Sequence, residues 1–240
     1  MSMRHDAVIF DLFGTLVDTV TPLEYEAMLR AVASALGADH DAFQAQWRAT
    51  IQEREAGTLG NVDRVLTATA EAVGTSPSYE GVTAAKEAWL ARARSWLTPR
   101  YNALQTIEGF RSAGYKVGLL SNCSGEVPPL WQEGPLATLV DAPVFSSDVG
   151  MMKPDPQIYR LVCFQLEVAP ERCLFVGDGG ARELTGARKL GMEVVLLRVP
   201  GEEHTWFDAA YRQDALEWEG ATVTDLSELP ELSYNRDLGR

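Results

Sequence analysis

The sequence predicts an α/β protein in which a doubly wound, Rossmann-like parallel sheet forms the core and an all-α domain is inserted into it. Two observations support this prediction. Short, near-continuous apolar runs alternate with helical patterns over most of the 240 residues, and such runs are typical of strands buried on both faces of a parallel sheet. One long interval, residues 19–97, shows helical patterns without any strand signal. A chain of this length allows one or two domains.

The first predicted strand covers residues 7–10, and the all-α interval follows it. Thr21-Pro22-Leu23-Glu24 is a capping box with proline at the first helical position, and it opens a helix that runs to about Leu36. Further helical stretches are predicted at residues 41–54, 62–73 and 82–96. Because the first strand belongs with the later ones, we expect a discontinuous α/β domain, residues 1–18 and 98–240, and an inserted helical domain, residues 19–97.

The remaining strands are predicted from four more apolar runs, at residues 116–120, 143–145, 173–176 and 193–197. Helical patterns lie between these runs, at residues 102–113, 157–166 and 182–190. Gly114 and Gly191 end the first and third of these helices, and Asp155-Pro156 opens the second. Strands and helices that alternate with short connections predict the doubly wound arrangement.

The charge balance argues against two classes of partner. Lys and Arg number 21 against 34 Asp and Glu, a formal net charge of −13, whereas nucleic acids and anionic membranes are bound by clustered Lys and Arg. The cysteines, Cys123, Cys163 and Cys173, have no metal-ligand spacing, and their odd number favours a reducing compartment. No apolar stretch is long enough for a signal peptide or a membrane span. We therefore expect a cytoplasmic protein that binds neither nucleic acid nor membrane.

Four groups of polar residues follow the predicted strands. They are the segment from Asp11 to Asp18 after the first strand, Ser121-Asn122 after the second, Lys153-Pro154 beyond the third, and Gly177-Asp178 with Glu183 after the fourth. In an open parallel sheet, ligands bind beyond the carboxyl ends of the strands. The sequence therefore predicts that these groups converge on one crevice.

In this order and spacing, the four groups resemble the motifs of the haloacid dehalogenase-like hydrolase superfamily, over essentially the whole chain. The inserted helical domain resembles the cap of that superfamily, which closes over the crevice and opens for release. The resemblance implies that Asp11 is a nucleophile that forms an aspartyl-phosphate. Two anions repel each other, so Lys153 is expected to neutralise the phosphoryl group and Ser121 to donate a hydrogen bond to it. Thr15 and Asn122 are expected to bind the substrate.

The acidic residues predict Mg²⁺ as a cofactor. Mg²⁺ favours oxygen ligands, among them one or two carboxylates, and Asp11 and Asp178 could supply those carboxylates. The resemblance adds the backbone carbonyl of Phe13. Glu183 stands where the superfamily usually has Asp, and we expect it to bind the metal through water or to hold Lys153. The alternative for Glu183 is a first-turn carboxylate that complements its helix dipole.

Phe13 departs from the phosphatase pattern, which has a second Asp two residues after the nucleophile as general acid and base. Phenylalanine cannot move a proton, and an aromatic residue here resembles the 2-haloacid dehalogenases of the superfamily. Those enzymes lack the metal-binding acidic arrangement that Asp178 and Glu183 resemble. They also use a cap arginine to bind the substrate carboxylate. Arg48 and Arg54 are the candidates for that role, but we interpret both as solvated side chains on a helix surface.

From these observations we predict a Mg²⁺-dependent phosphohydrolase that acts on a small phosphorylated metabolite through Asp11, as a monomer or homodimer. One alternative is a 2-haloacid dehalogenase-type hydrolase in which Asp11 attacks carbon. A further alternative is a weakly active or non-catalytic member that binds a ligand. The net charge of −13 does not argue against a phosphorylated substrate, because Lys153, Mg²⁺ and loop N–H groups can reverse the field inside the crevice.

Overall fold

The computed structural model describes residues 5–202 and 211–230. Its core is a six-stranded, fully parallel sheet in the order β3-β2-β1-β4-β5-β6. The strands are β1 Ala7–Phe10, β2 Lys116–Ser121, β3 Ala142–Phe145, β4 Cys173–Gly177, β5 Glu193–Leu197 and β6 Ala221–Val223. The predicted α/β fold with a parallel sheet is therefore confirmed.

Helices surround the sheet and fill the interval between β1 and β2. They are α1 Pro22–Leu36, α2 His40–Ala49, α3 Ile51–Glu55, α4 Val62–Ala72, α5 Tyr79–Trp96, α6 Ala103–Ser112, α7 Val127–Gln132, α8 Ser146–Val149, α9 Pro156–Leu166, α10 Glu183–Lys189 and α11 Gln213–Glu217. Among the described residues, no helix is both long enough and apolar enough to cross a membrane.

The side chains of β1 show why the sheet is covered on both faces. Val8 and Phe10 pack in one hydrophobic cluster with α6, whereas Ala7 and Ile9 pack in a second cluster with α9 and α10. Successive side chains of a strand point to opposite faces, so a strand that is apolar at every position requires helices on both sides.

The order of the strands places a crevice at the end of β1. From β1 the chain builds β2 and β3 on one side, and then returns to build β4, β5 and β6 on the other. The strands β1 and β4 are neighbours, and the chain leaves them in opposite directions across the sheet. Open α/β sheets bind ligands at such a position. Asp11 and Asp178 are the first residues of these two loops.

Helices α1–α5, which we call the cap, enclose a hydrophobic cluster of their own around Trp47 and Trp89. Leu130, on α7 of the core, belongs to the same cluster. The two connections between core and cap run side by side, joined by an antiparallel bridge between Val17 and Pro99. The division into residues 1–18 with 98–240 and residues 19–97 stays a prediction, and part of it lies outside the described residues.

The helix predicted over residues 41–54 is divided in two at Thr50. Thr50 has φ −103° and ψ 20°, and its hydroxyl donates to the carbonyls of Gln46 and Trp47. The guanidinium of Arg54 donates to the Trp47 carbonyl as well. The Thr50 hydroxyl and the Arg54 guanidinium thus bond the Trp47 carbonyl, which a continuous helix would bond through its own backbone.

Four elements of the structure were not predicted: α7, α8, α11 and the edge strand β6. Each contains three to six residues. An apolar period of 2 or 3.6 residues cannot be recognised over such short lengths.

Candidate active site

Asp11 is held rigidly at the end of β1. Its side chain is buried, and its backbone N–H donates to the carbonyl of Val176 on β4 at 2.9 Å. The loop that follows turns tightly, because the N–H groups of three successive residues from Thr15 onward all donate to the Leu12 carbonyl. The Thr15 hydroxyl then lies 3.2 Å from Asp11 Oδ2 and donates to it. The orientation of this carboxylate is therefore fixed before any ligand binds.

Lys153 bridges two of the predicted acidic residues. Its Nζ donates to Asp11 Oδ1 and to Glu183 Oε2, each at 2.5 Å, and the side chain is almost fully buried. Burial alone would lower the pKa of this ammonium, but the negative charges of Asp11 and Glu183 raise it well above the usual range. Lys153 is therefore a permanent positive charge against the Asp11 carboxylate.

Asn122 positions the lysine loop. Its Oδ1 accepts a hydrogen bond from the Lys153 N–H at 2.9 Å, and its Nδ2 donates to the Lys153 carbonyl at 3.2 Å. Asn122 also lines the cavity, whereas the fully buried Ser121 and Thr15 are not among its lining residues. The expected contacts of Ser121, Thr15 and Asn122 with substrate stay predictions.

Asp178 and Glu183 complete an acidic cluster with Asp11, in which one carboxylate oxygen of each lies within 4.8 Å of the others. Asp178 Oδ1 accepts from the Gly180 N–H, and Glu183 Oε1 accepts from the Gly179 N–H, both at 2.9 Å. Burial and the charge of Asp11 raise the pKa of Asp178 to about 6. Burial raises the pKa of Glu183 well above its usual range. Because Glu183 Oε2 accepts a hydrogen bond from Lys153 Nζ, Glu183 holds Lys153 directly, which is one of the two functional roles expected for it.

The donor set of this cluster fits a Mg²⁺ ion. Gly14 allows the loop after β1 to approach the Asp178 carboxylate closely. Its φ is +78°, and a Cβ atom at this position would lie 2.5 Å from Asp178 Oδ2. Carboxylate oxygens are ligands that Mg²⁺ prefers, and Asp11 and Asp178 each place a carboxylate oxygen within 4.8 Å of the other. The Phe13 side chain lines the same cavity, and the role of its carbonyl as a ligand stays a prediction.

The cavity lies between the strand ends and the cap. Its core side includes Asp11, Lys153 and Asp178, and its cap side includes Tyr25, Arg54, Glu55 and Trp96. The rings of Tyr25 and Trp96 stack with their centroids 5.6 Å apart. A substrate bound to the core side would therefore contact the cap through aromatic and charged side chains.

The interpretation of Arg54 as a solvated side chain is wrong, whereas Arg48 is exposed as expected. The Arg54 side chain is 4% exposed. Its Nη1 donates to the Trp47 carbonyl and to the Thr50 hydroxyl. Its Cζ lies 3.9 Å from the centroid of the Trp47 ring. Burial lowers its pKa. The spacing could have indicated this, since residues seven apart on a helix share a face and Trp47 is apolar.

Sequence reasoning also missed two carboxylic acids in the cavity. Glu55, at the end of α3, and Glu126, just before α7, are 8% and 9% exposed. Burial is the largest cause that raises the pKa of each to about 7, and Arg54 opposes the shift in both. Nothing local in the sequence distinguishes either residue, because adjacent positions on a helix do not share a face and Glu55 only neighbours Arg54 along the chain.

Comparisons with known proteins agree on the family. A sequence model described as a haloacid dehalogenase-like hydrolase matches residues 5–191. The chain is 29% identical to (S)-2-haloacid dehalogenase 4A of Burkholderia cepacia, over 81% of this chain and 84% of that one. It is 27% identical to glyceraldehyde 3-phosphate phosphatase of Methanopyrus kandleri, over 80% and 83%. A crystal structure of a dehalogenase superimposes with a TM-score of 0.63 at 26% identity, covering 98% of this chain and all of the other.

Proposed function

This chain belongs to the haloacid dehalogenase-like hydrolases, and on that premise we propose that it is a Mg²⁺-dependent phosphohydrolase. Its substrate would be a small phosphorylated metabolite, and its nucleophile Asp11. Relatives of comparable similarity include both a dehalogenase and a phosphatase, so the choice between the two activities rests on the site itself.

The observation that carries the proposal is the charge of the acidic cluster. Asp11, Asp178 and Glu183 approach within 4.8 Å; Lys153 bonds Asp11 and Glu183, and the positive charge of Arg212 acts on Asp178. Burial and the charge of Asp11 nevertheless raise the pKa of Asp178 and of Glu183, because the cluster carries excess negative charge when all three carboxyls are ionised. A divalent cation held by Asp11 and Asp178 would correct the imbalance, and when bound it would supply positive charge to the phosphoryl oxygens.

The chemistry of the chain's own residues follows from their contacts. An Asp11 carboxylate oxygen attacks phosphorus, a phosphorus–oxygen bond forms, and the bond to the leaving oxygen breaks. Lys153 reduces the repulsion between this carboxylate and the phosphoryl oxygens. Glu183 holds Lys153 in place, while the Thr15 hydroxyl orients Asp11. Attack of water on the aspartyl-phosphate then releases phosphate and restores Asp11.

Two observations favour a second candidate, hydrolysis of a 2-haloacid. Phe13 lines the cavity where the phosphatases of this superfamily have an acid, and halide leaves without a proton. Arg54 lies in the same cavity and could pair with a substrate carboxylate. In this reaction Asp11 would attack carbon and displace halide.

A panel of phosphate esters and 2-haloacids, each assayed with Mg²⁺ and with a chelator, tests the proposal. We expect release of phosphate that stops on chelation and returns with Mg²⁺, and no release from the Asp11→Asn variant. Release of halide that is insensitive to the chelator would contradict the proposal and support the second candidate. Release of neither product would support a ligand-binding role.

Binding of the metal can be measured without turnover. Excess Mg²⁺ should raise the thermal midpoint of the protein, because a ligand that binds only the folded state stabilises it by mass action. The Asp178→Asn variant should lose this response. A thermal midpoint that Mg²⁺ leaves unchanged in the unsubstituted protein would contradict the assignment of the metal site.

A further inference from the structure

We propose that Glu55 of the cap donates a proton to the leaving oxygen of the substrate, and thereby supplies the acid that position 13 lacks. The inference rests on the proposed phosphohydrolase activity and adds a catalytic residue to it. In this view the cap supplies the proton donor, and the core supplies the nucleophile.

The reaction requires a proton that neither Phe13 nor Lys153 can supply. An alkoxide leaving group requires a proton, and general acid catalysis contributes about 10²–10⁴-fold to such a step. Phe13 cannot provide a proton. Lys153 is committed to two carboxylates, and the charges of those carboxylates keep it protonated, with its pKa raised.

Glu55 is placed to meet this need. It lines the same cavity as Asp11 and Lys153, and it approaches that cavity from the cap, the side on which the leaving group of a bound ester would lie. The residue is buried, and its pKa is set by burial and by nearby charges, with no hydrogen bond from a described residue. Because Glu55 lines the cavity, a ligand oxygen there can accept the proton of its carboxyl group without displacing another partner.

The surroundings of Glu55 keep it in the acid form near neutral pH. Burial is the largest contribution and raises its pKa to about 7; Arg54 and Lys153 oppose the shift, and Glu126 adds to it. The other titratable groups that its charge reaches are Tyr25, Tyr211 and Cys123. The pKa of each of these three is raised, so all of them are neutral where Glu55 titrates. Glu55 can therefore both give and accept a proton at the pH at which the enzyme would work.

The proton balance of the cycle is complete. As Asp11 attacks phosphorus and the bond to the leaving oxygen breaks, that oxygen takes the proton of Glu55 and departs as an alcohol. Water then attacks phosphorus of the aspartyl-phosphate, and the Glu55 carboxylate accepts one of its protons. Phosphate leaves, the Asp11 carboxylate is restored, and Glu55 is protonated again.

The test compares Glu55→Gln with the unsubstituted protein on two kinds of ester, both with Mg²⁺. Aryl phosphates with a good leaving group need no proton, whereas alkyl phosphates do. We expect Glu55→Gln to lower kcat for alkyl phosphates by about 10²-fold or more and to change kcat for activated aryl phosphates by at most a few-fold. The fall of kcat at basic pH, seen with alkyl phosphates, should disappear in the variant.

Two further variants separate proton transfer from a structural role. Glu55→Asp keeps a carboxylic acid and should recover part of the lost alkyl activity. Glu53→Gln removes the same charge from an exposed position of α3 and should behave like the unsubstituted protein. An equal loss on both kinds of ester in Glu55→Gln, or no loss on either, would overturn the inference while the phosphohydrolase activity stands. If the unsubstituted protein hydrolyses neither kind of ester, the proposed function itself fails.

Discussion

Glu126 illustrates at the scale of a single residue how the cavity changes the chemistry of a carboxyl group. It is 9% exposed, and burial is the main reason that its pKa lies at about 7 rather than at 4.5. Glu55 carries a similar shift from the cap side. The folded protein therefore keeps protons on these groups at pH values where the unfolded chain has lost them. Such linkage makes stability depend on pH.

The sign of this dependence gives a prediction for Glu126→Gln. In the native protein the favourable contribution of neutral Glu126 is present below pH 4.5 and is lost as pH rises toward 7. Glutamine is neutral throughout, so the variant should unfold with a free energy up to about 3 kcal/mol higher than the unsubstituted protein at pH 8. At pH 4 the two should be nearly equal.

Urea unfolding at both pH values measures this difference, with Glu53→Gln as an exposed control. A difference between Glu126→Gln and the unsubstituted protein that is the same at both pH values would contradict the expectation.

At the scale of elements, Arg100 ties the connections between core and cap to the loop after β5. Its guanidinium donates to the carbonyls of Thr15 and Val17 and, through two nitrogens, to the carboxylate of Glu202. Thr19 donates to the same carboxylate at 3.0 Å. The side chain of Arg100 is 8% exposed. Both chain connections therefore leave the core from one clamped position, which we expect to be the hinge of the cap movement that the family resemblance implies.

Replacing Arg100 by Lys should loosen this hinge. Lysine keeps the charge but has no planar fork to bond two carbonyls and a carboxylate together, so we expect a loss of about 1–3 kcal/mol in unfolding free energy. Amide hydrogen exchange should become faster at residues 17–20 and 97–100. Arg111→Lys is the matched control, because Arg111 also bonds a carbonyl and a carboxylate but lies away from the hinge. Unchanged exchange at both connections in Arg100→Lys would contradict this role.

At the scale of the whole molecule, the cap lies against the core at two places that the structure describes. Gly57 lies so close to α8 that a Cβ atom would be 2.1 Å from the Ser147 carbonyl oxygen. On another side of the cap, Arg94 pairs with Glu133 at 3.0 Å. Because the cap carries Glu55 and Arg54, the cavity is complete only when the cap lies against the core, which is the arrangement that we expect cap closure to produce.

A methyl group at position 57 should therefore impair closure and leave the fold intact. Gly57 and Gly37 both have a positive φ, +68° and +72°, but nothing lies within 4 Å of a Cβ atom built on Gly37. Gly57→Ala and Gly37→Ala should each lose about 1 kcal/mol of unfolding free energy from backbone strain. Only Gly57→Ala should also lose turnover, as measured by phosphate release. Equal turnover in the two variants would show that the contact with Ser147 does not govern closure.

Local patterns were sufficient to predict most of the fold. Five of the six strands appear at the predicted positions because each is a near-continuous apolar run, and capping residues such as Thr21 and Asp155 begin helices where expected. The loops that hold Asp11, Lys153 and Asp178 follow from the rule that polar residues after parallel strands meet at one edge. These are short-range signals, written in consecutive residues.

The sequence by itself determined five of the strands, several helix ends and the order of the motif loops, because each depends on neighbours along the chain. The tertiary structure decided what those loops touch. Lys153 reaches Asp11 across 142 residues and Glu183 across 30, and Arg54, Glu55 and Glu126 enter the cavity only because the cap packs against the core. The pKa values of these carboxyls depend on burial and on charges from distant segments, and neither exists until the chain has folded.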